Sequence, residues 1–176
     1  MLLRAGVLLL TAAGILSGPC QGTRTDTADG TRDDGSVCIV ASVTDGDTLR
    51  CEGGRRVRLL LIDTPEMDQG PHGAAAREVL LTMAPPGARL VMEFDVERED
   101  RYGRTLAYLY DSAGRMLNEE MARSGHALSL TYPPNVRHVE RIRAAVEAAR
   151  RRRAGLWATS AFECAPVDHR AGRCAG

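Results

Sequence analysis

The stretch Val57-Arg-Leu-Leu-Leu-Ile-Asp-Thr-Pro-Glu66 runs as branched aliphatics and then stops abruptly on Asp63, Thr64, Pro65 and Glu66. An unbroken apolar run of this length reads as a core strand. Carboxylates at its end are either a turn device or a site, and Asp and Pro are ordinary turn residues. A second acidic element upstream, Asp45-Gly-Asp-Thr48, bears on the choice. It stands between two extended stretches: 37–43 is apolar or alternating, Asp45-Gly46 is a turn signal, and 48–51 resumes extended chain. With 57–62 as a third strand, these make a curled antiparallel meander. In a meander the tip of the first hairpin and the end of the third strand can reach one rim, which would bring Asp47 and Asp63 together. Neighbouring carboxylates repel unless a cation lies between them. Hard divalent cations such as Ca²⁺ take oxygen ligands, backbone carbonyls included. The acidic string is too short for an EF-hand loop.

The remaining pattern alternates strands and helices. Residues 74–83 read as a helix stopped by Pro85-Pro86-Gly87, 89–96 and 105–110 as strands, and 116–123 as a short helix closed by Ser124-Gly125. A brief extended piece at 127–132 precedes Pro133-Pro134, and 138–153 reads as a long helix with Val139, Ile142, Ala145, Val146 and Ala149 on one face. We expect an α+β, mainly β fold: a five-stranded barrel of the OB type with three helices. A chain of 176 residues suits one domain with one core. The expected division is a signal segment at 1–20, a spacer at 21–36, the barrel domain at 37–160 and a C-terminal tail at 161–176.

Met1 to Leu16 holds a lone Arg4 and then about a dozen apolar residues, the proportions of a secretory signal and too short to span a bilayer comfortably. We therefore expect export, to a secreted or periplasmic location, and no transmembrane segment in the mature chain. Lipid on Cys20 is the alternative, and Pro19 stands where such signals want a small residue. The five cysteines fit an oxidising compartment. Cys38 and Cys51 flank the hairpin, Cys164 and Cys174 bracket the tail, and connectivity is not readable from sequence. Basic and acidic residues match at 23 each, and every basic one is arginine. A neutral total gives no pointer to a polyanionic partner and leaves local basic patches open.

Arginines accompany the acidic elements. Arg58 opens the third strand and Arg104 follows Asp100-Arg-Tyr-Gly103. A guanidinium grips phosphate with a planar fork and stays charged at any working pH. Metal-binding carboxylates, a spare Glu66 and two arginines are the inventory of metal-assisted phosphodiester cleavage.

The strings Asp45-Gly-Asp-Thr48, Arg58-Leu-Leu-Leu-Ile-Asp-Thr-Pro-Glu66 and Asp100-Arg-Tyr-Gly-Arg-Thr-Leu-Ala-Tyr-Leu-Tyr110 resemble the staphylococcal nuclease (thermonuclease) family. So do Val91-Met-Glu-Phe-Asp95, Met116-Leu-Asn-Glu119, Tyr132-Pro-Pro-Asn135 and Gly155-Leu-Trp157, in family order over most of the mature chain. The resemblance implies cleavage of DNA and RNA with Ca²⁺, breaking the P–O5′ bond and leaving 3′-phosphates. It implies Asp47, Asp63 and the Thr64 carbonyl as metal ligands, and Glu66 as the residue that activates water. Arg58 and Arg104 would bind the scissile phosphate, and Arg101, Tyr102 and Tyr132 would bind substrate. Leu130 departs from the pattern, standing where the family has the first of two nucleotide-binding tyrosines. A catalytically silent relative that only binds nucleic acid or protein is the rival reading, and a monomer is expected.

The four histidines show no metal spacing and read as structural or surface residues. Arg150-Arg-Arg-Arg153 reads either as a phosphate contact or as a solvated helix end suited to the helix dipole. Trp157 is expected to pack the last helix onto the barrel, and 97–100 (Glu-Arg-Glu-Asp) to solvate the loop before Arg104.

Overall fold

The computed structural model describes residues 36–174; the signal reading, Cys20 and the spacer reading up to residue 35 lie outside them, and the Ser36 carbonyl accepts from the Met92 N–H at 2.6 Å. In chain order the elements are β1 (Val37–Val43), β2 (Thr48–Cys51), β3 (Arg56–Leu59), β4 (Ile62–Asp63), α1 (Pro71–Met83), β5 (Arg89–Glu93), β6 (Thr105–Tyr110), α2 (Leu117–Arg123), β7 (Leu128–Ser129), α3 (Val139–Arg152) and α4 (Pro166–Arg170). Five strands close into a barrel in the order β1-β2-β3-β6-β5, with β1 pairing back onto β5. The first three strands form the expected antiparallel meander, and β3 runs parallel to β6. This is the mainly β barrel expected. The helix count is corrected from three to four among the described residues, because Pro166 opens a short helix that no apolar period marks.

Alternation along β1 sends Cys38 and Val40 inward, and a register shift between Val40 and Ser42 returns Val43 to the same side, where they meet Leu49, Val57, Leu59, Leu90 and Leu109. Each buried aliphatic side chain contributes roughly 1.5–3 kcal/mol. Cys38 and Cys51 join across the β1–β2 hairpin as a disulfide of 2.05 Å. Helix α3 buries Ile142, Ala145, Val146 and Ala149, the face anticipated from their spacing, and its arginines stay on the outer side.

The expected third strand at 57–62 is two strands. The backbone turns at Leu60 and Leu61, with Leu61 at φ 64°, and restarts as β4, which pairs with β7 through Ile62↔Ser129 and Asp63↔Leu128. Leu60, Leu61 and Ile62 all remain buried through the turn. Burial keeps the run apolar where the backbone is not extended, and periodicity cannot separate the two cases.

Asn118, fully buried at the start of α2, holds this corner. Its Nδ2 donates to the carbonyls of Leu60 (2.9 Å) and Ala107 (3.2 Å), and its Oδ1 accepts from the Leu109 N–H (3.0 Å). The turn is thereby fixed against β6, and β4 is aimed so that Asp63 emerges at the barrel rim.

Candidate active site

The first hairpin's tip and the end of β3 meet through the backbone: the Leu59 N–H donates to the Asp47 carbonyl at 2.8 Å. Within the tip, Asp45 Oδ1 accepts from the Asp47 N–H (3.0 Å), a local turn bond of the kind Asp favours. Gly46 is required by packing. A Cβ there would lie 2.7 Å from Thr64 Oγ1 and 2.7 Å from Ala76 Cβ, so only glycine lets the tip rest against Thr64 and α1. Asp47 Oδ2 then accepts from both the N–H (3.1 Å) and the hydroxyl (3.2 Å) of Thr64.

Arg58 bridges the two acidic elements. Its Nε stands 3.0 Å from Asp47 Oδ1 and its Nη2 3.3 Å from Asp63 Oδ1. Further bonds to the carbonyls of Leu59 (2.5 Å) and Ile62 (2.8 Å) hold the guanidinium plane. Both carboxylates are almost fully enclosed, with side-chain exposures of 9% for Asp47 and 2% for Asp63.

Asp45, read from sequence only as part of a turn, belongs to this acidic group. Burial, and then the neighbouring Asp47 charge, push its carboxyl up to about 6. Burial likewise raises Asp63, opposed by Arg170 and Arg58. An acid with a raised pKa binds its proton more tightly in the fold than in the open chain. Ionising Asp45 at neutral pH therefore costs stability, a cost that a nearby cation offsets. The donors are all oxygen, which suits a hard cation such as Ca²⁺.

Glu66 follows Pro65 on the loop into α1. Its N–H donates to Gln69 Oε1 at 2.8 Å, and its carbonyl lies where a Cβ on Gly73 would be, so the loop presses directly on the helix. Arg104 is held by Asp100, which takes its Nε at 2.7 Å and its N–H at 3.0 Å, and the Tyr102 N–H at 2.9 Å. Asp100 thus builds the turn and orients Arg104, which the expectation of a merely solvating segment did not include.

A cleft of about 810 Å³ gathers Asp45, Asp47, Arg58, Thr64, Glu66, Arg101, Tyr102, Arg104, Leu130 and Tyr132 on one wall system. Tyr102 and Tyr132 are exposed at 57% and 65%; the Tyr132 ring is open to a base, while the Tyr102 ring carries guanidinium groups. Arg101 lies over the Tyr102 ring at 4.8 Å. Asn135 pins the Tyr132 loop across the cleft by paired bonds to the backbone of Glu97 (2.8 and 2.9 Å).

A model of the family described as staphylococcal nuclease homologue matches residues 56–159. A thermonuclease of Staphylococcus intermedius is 32% identical over 168 residues, 86% of this chain and 95% of that one. The chain belongs to the staphylococcal nuclease family. A thermonuclease of Staphylococcus hyicus is 32% identical over 126 residues (67% of this chain, 73% of that one). Endonuclease YncB of Bacillus subtilis is 32% identical over 128 residues (67% and 60%).

Set against the nuclease family match, the last described segment stands apart, since it begins after residue 159. From it Arg170 enters the same cleft, with Nη1 3.0 Å from Asp63 Oδ1 and Nη2 3.1 Å from Asp63 Oδ2. Sequence reasoning missed this residue; its only signal was a place between Cys164 and Cys174, which form a disulfide with Cα atoms 5.7 Å apart. Those cysteines and His169 also offer ligand atoms within 4.8 Å of one another. With both sulfurs bonded to each other they are a staple rather than a ligand set.

None of the histidines lines the cleft. His138 contacts Glu93 (3.0 Å) and stands edge-on to Tyr108, while His169 meets Asp68 at 2.8 Å. Trp157 packs on Phe162 with ring centroids 4.6 Å apart, under the Arg150 guanidinium. Arg150, Arg151 and Arg152 form the last turn of α3, the end where positive charge suits the helix dipole. Among the described residues no helix is long and apolar enough to cross a membrane.

Proposed function

We propose that this protein is an exported, Ca²⁺-dependent nuclease that hydrolyses phosphodiester bonds of DNA and RNA at the P–O5′ bond, leaving 3′-phosphates. The observation that carries the reading is the Arg58 guanidinium spanning Asp47 and Asp63 in a cleft that Glu66 and Arg104 also line. Relatives named thermonuclease and endonuclease support the same class of reaction.

Asp47, Asp63 and the Thr64 carbonyl would hold the cation, which when bound supplies charge neutralisation at the phosphate and orders a water. Glu66 takes the proton of the attacking water as the attack proceeds in line. Arg58 and Arg104 donate to the equatorial oxygens, where charge grows toward the transition state, and so lower the barrier rather than merely binding substrate. Asp100 keeps Arg104 in place for this work. Tyr132 offers a face for base stacking, and Tyr102, with Arg101 over its ring, brings a hydroxyl and positive charge to the substrate at the same cleft. Leu130 cannot hydrogen-bond a nucleotide, so nucleotide affinity rests more on Tyr132.

Export is supported by the apolar segment after Arg4 and by the two disulfides, which persist in oxidising compartments. The mass of the mature protein, taken without reductant, reports the cleavage point, any lipid on Cys20 and the bridges together. Digestion of plasmid DNA and of RNA with Ca²⁺, and then with a chelator, tests the activity. Cleavage that disappears on chelation is expected. Folded protein that binds DNA but cuts nothing in either tube would instead make it a binding relative without catalysis.

A further inference from the structure

The segment from Cys164 to Cys174 is a closed loop carrying α4, and it is latched to the loop between β4 and α1. Gln69 Nε2 donates to the Cys164 carbonyl (3.2 Å), and His169 Nε2 meets Asp68 Oδ1 (2.8 Å). Arg170 Nη1 meets Glu66 Oε1 at 2.5 Å. The same guanidinium then forks onto both oxygens of Asp63, one of which Arg58 also contacts.

We infer that this disulfide-closed strap is an intramolecular competitor for the divalent-cation site, with Arg170 covering the carboxylate oxygens of Asp63 that a cation would otherwise engage. The inference rests on Asp63 being a metal ligand, as proposed above. A Ca²⁺ ion sits about 2.3–2.6 Å from each ligand oxygen. Here both Asp63 oxygens have an Arg170 nitrogen about 3 Å away. A divalent ion bound to either oxygen would face a guanidinium a few ångströms distant, with no carboxylate oxygen between them to spare. Fork and cation on Asp63 are therefore alternatives. Asp63 is locked in the barrel rim at 2% exposure, whereas the Arg170 side chain is 40% exposed, so it is the arginine that withdraws.

Two features make the competition strong. The ring closed by Cys164–Cys174 and its bonds to Gln69 and Asp68 hold the guanidinium at high effective concentration. The arginine also stays charged at every working pH, so the competitor does not titrate away. A fraction of molecules with Asp63 covered raises the apparent dissociation constant for the cation by the reciprocal of the open fraction. The strap lies beyond residue 159, outside the segment that the family model matches.

The test is calorimetric titration of Ca²⁺ into the full chain at fixed ionic strength, without nucleic acid. Wild type is compared with Arg170→Gln, Arg170→Lys and the Cys164→Ser/Cys174→Ser pair. Circular dichroism melts in chelator establish that each is folded. Arg170→Gln is expected to bind Ca²⁺ about tenfold more tightly. Arg170→Lys should fall between, because an ammonium does not fork across a carboxylate, and the double serine variant should tighten by a smaller factor. Equal or weaker Ca²⁺ affinity in folded Arg170→Gln overturns the inference. If wild type and Arg170→Gln both bind Ca²⁺ with one affinity and cut DNA, only the strap is wrong. If neither binds Ca²⁺, the metal assignment of Asp63 fails and takes the strap with it.

Discussion

Arg58 donates from all three guanidinium nitrogens, to Asp47, Asp63 and the carbonyls of Leu59 and Ile62. It is thus both a phosphate-binding candidate and the counter-charge for two enclosed carboxylates. Removing one partner of a buried ion pair costs about 3–5 kcal/mol, because the other charge is left behind. Arg170 still meets Asp63, so the cost here should lie nearer the low end. Arg58→Gln is expected to melt well below wild type in chelator and to recover most of that loss in Ca²⁺. Its turnover should stay at least about a hundredfold down under both conditions. Arg104 pairs with Asp100 at a more open position, at 28% side-chain exposure. Arg104→Gln should therefore lose comparable turnover while its unfolding free energy falls by less than about 1 kcal/mol. A nuclease assay and a melt on the same two proteins decide both statements; full activity in folded Arg58→Gln would remove that residue from the mechanism.

The rim is set by how β3, β4, β6 and α2 are tied. Asn118 makes three buried hydrogen bonds at that junction. In Asn118→Ala the carbonyl of Leu60 and the N–H of Leu109 lose buried partners, each costing about 1–3 kcal/mol. Urea unfolding should show a loss of about 3 kcal/mol or more, with Ca²⁺ affinity weakened as Asp63 loses its fixed aim. A second junction joins β5, β6 and the start of α3: Glu93 takes the Tyr110 hydroxyl (2.6 Å), Arg137 (2.9 Å) and His138 (3.0 Å). Partial burial works against the charged form of Glu93, but these donors outweigh it and hold the carboxyl down at about 2, from 4.5. A depressed carboxylate stabilises the fold above its open-chain pKa and loses that contribution as pH falls toward the folded value. Stability should thus fall between about pH 4.5 and pH 2 by about 1–2 kcal/mol on this account, solvent screening at a half-open site having reduced it. Glu93→Gln should flatten that limb of the acid-unfolding curve; an unchanged limb would show that the junction does not carry it.

For the molecule as a whole, a small barrel with a cleft at its rim is held by core burial and by cross-links that shorten the open chain. The Cys38–Cys51 bridge spans 13 residues and joins neighbouring barrel strands. Loops of that length stabilise by about 3 kcal/mol through the unfolded state. Cys38→Ser/Cys51→Ser is expected to lower the urea midpoint accordingly while leaving Ca²⁺ affinity within about twofold, since neither cysteine touches the cleft. Loss of the Cys164–Cys174 bridge, which closes a loop of 10 residues, should lower the urea midpoint by a comparable amount and, unlike the first, also tighten Ca²⁺ binding. Paired titrations and urea curves separate the two.

Much of this was legible along the chain. The hairpin, its Asp-Gly turn, the buried run before Asp63 and the apolar face of α3 follow from alternation, turn chemistry and helical spacing, which act over a few residues. The convergence of Asp47 with Asp63 was readable because consecutive antiparallel strands return the chain to the same rim. The tertiary structure decided the break at Leu61, since a buried turn and a buried strand carry the same apolar letters. It also decided the enclosure of Asp45 and the arrival of Arg170, which is 107 residues from Asp63. A contact across that separation leaves no local period or motif; it exists only once the barrel has closed and the stapled tail has packed against α1's approach loop.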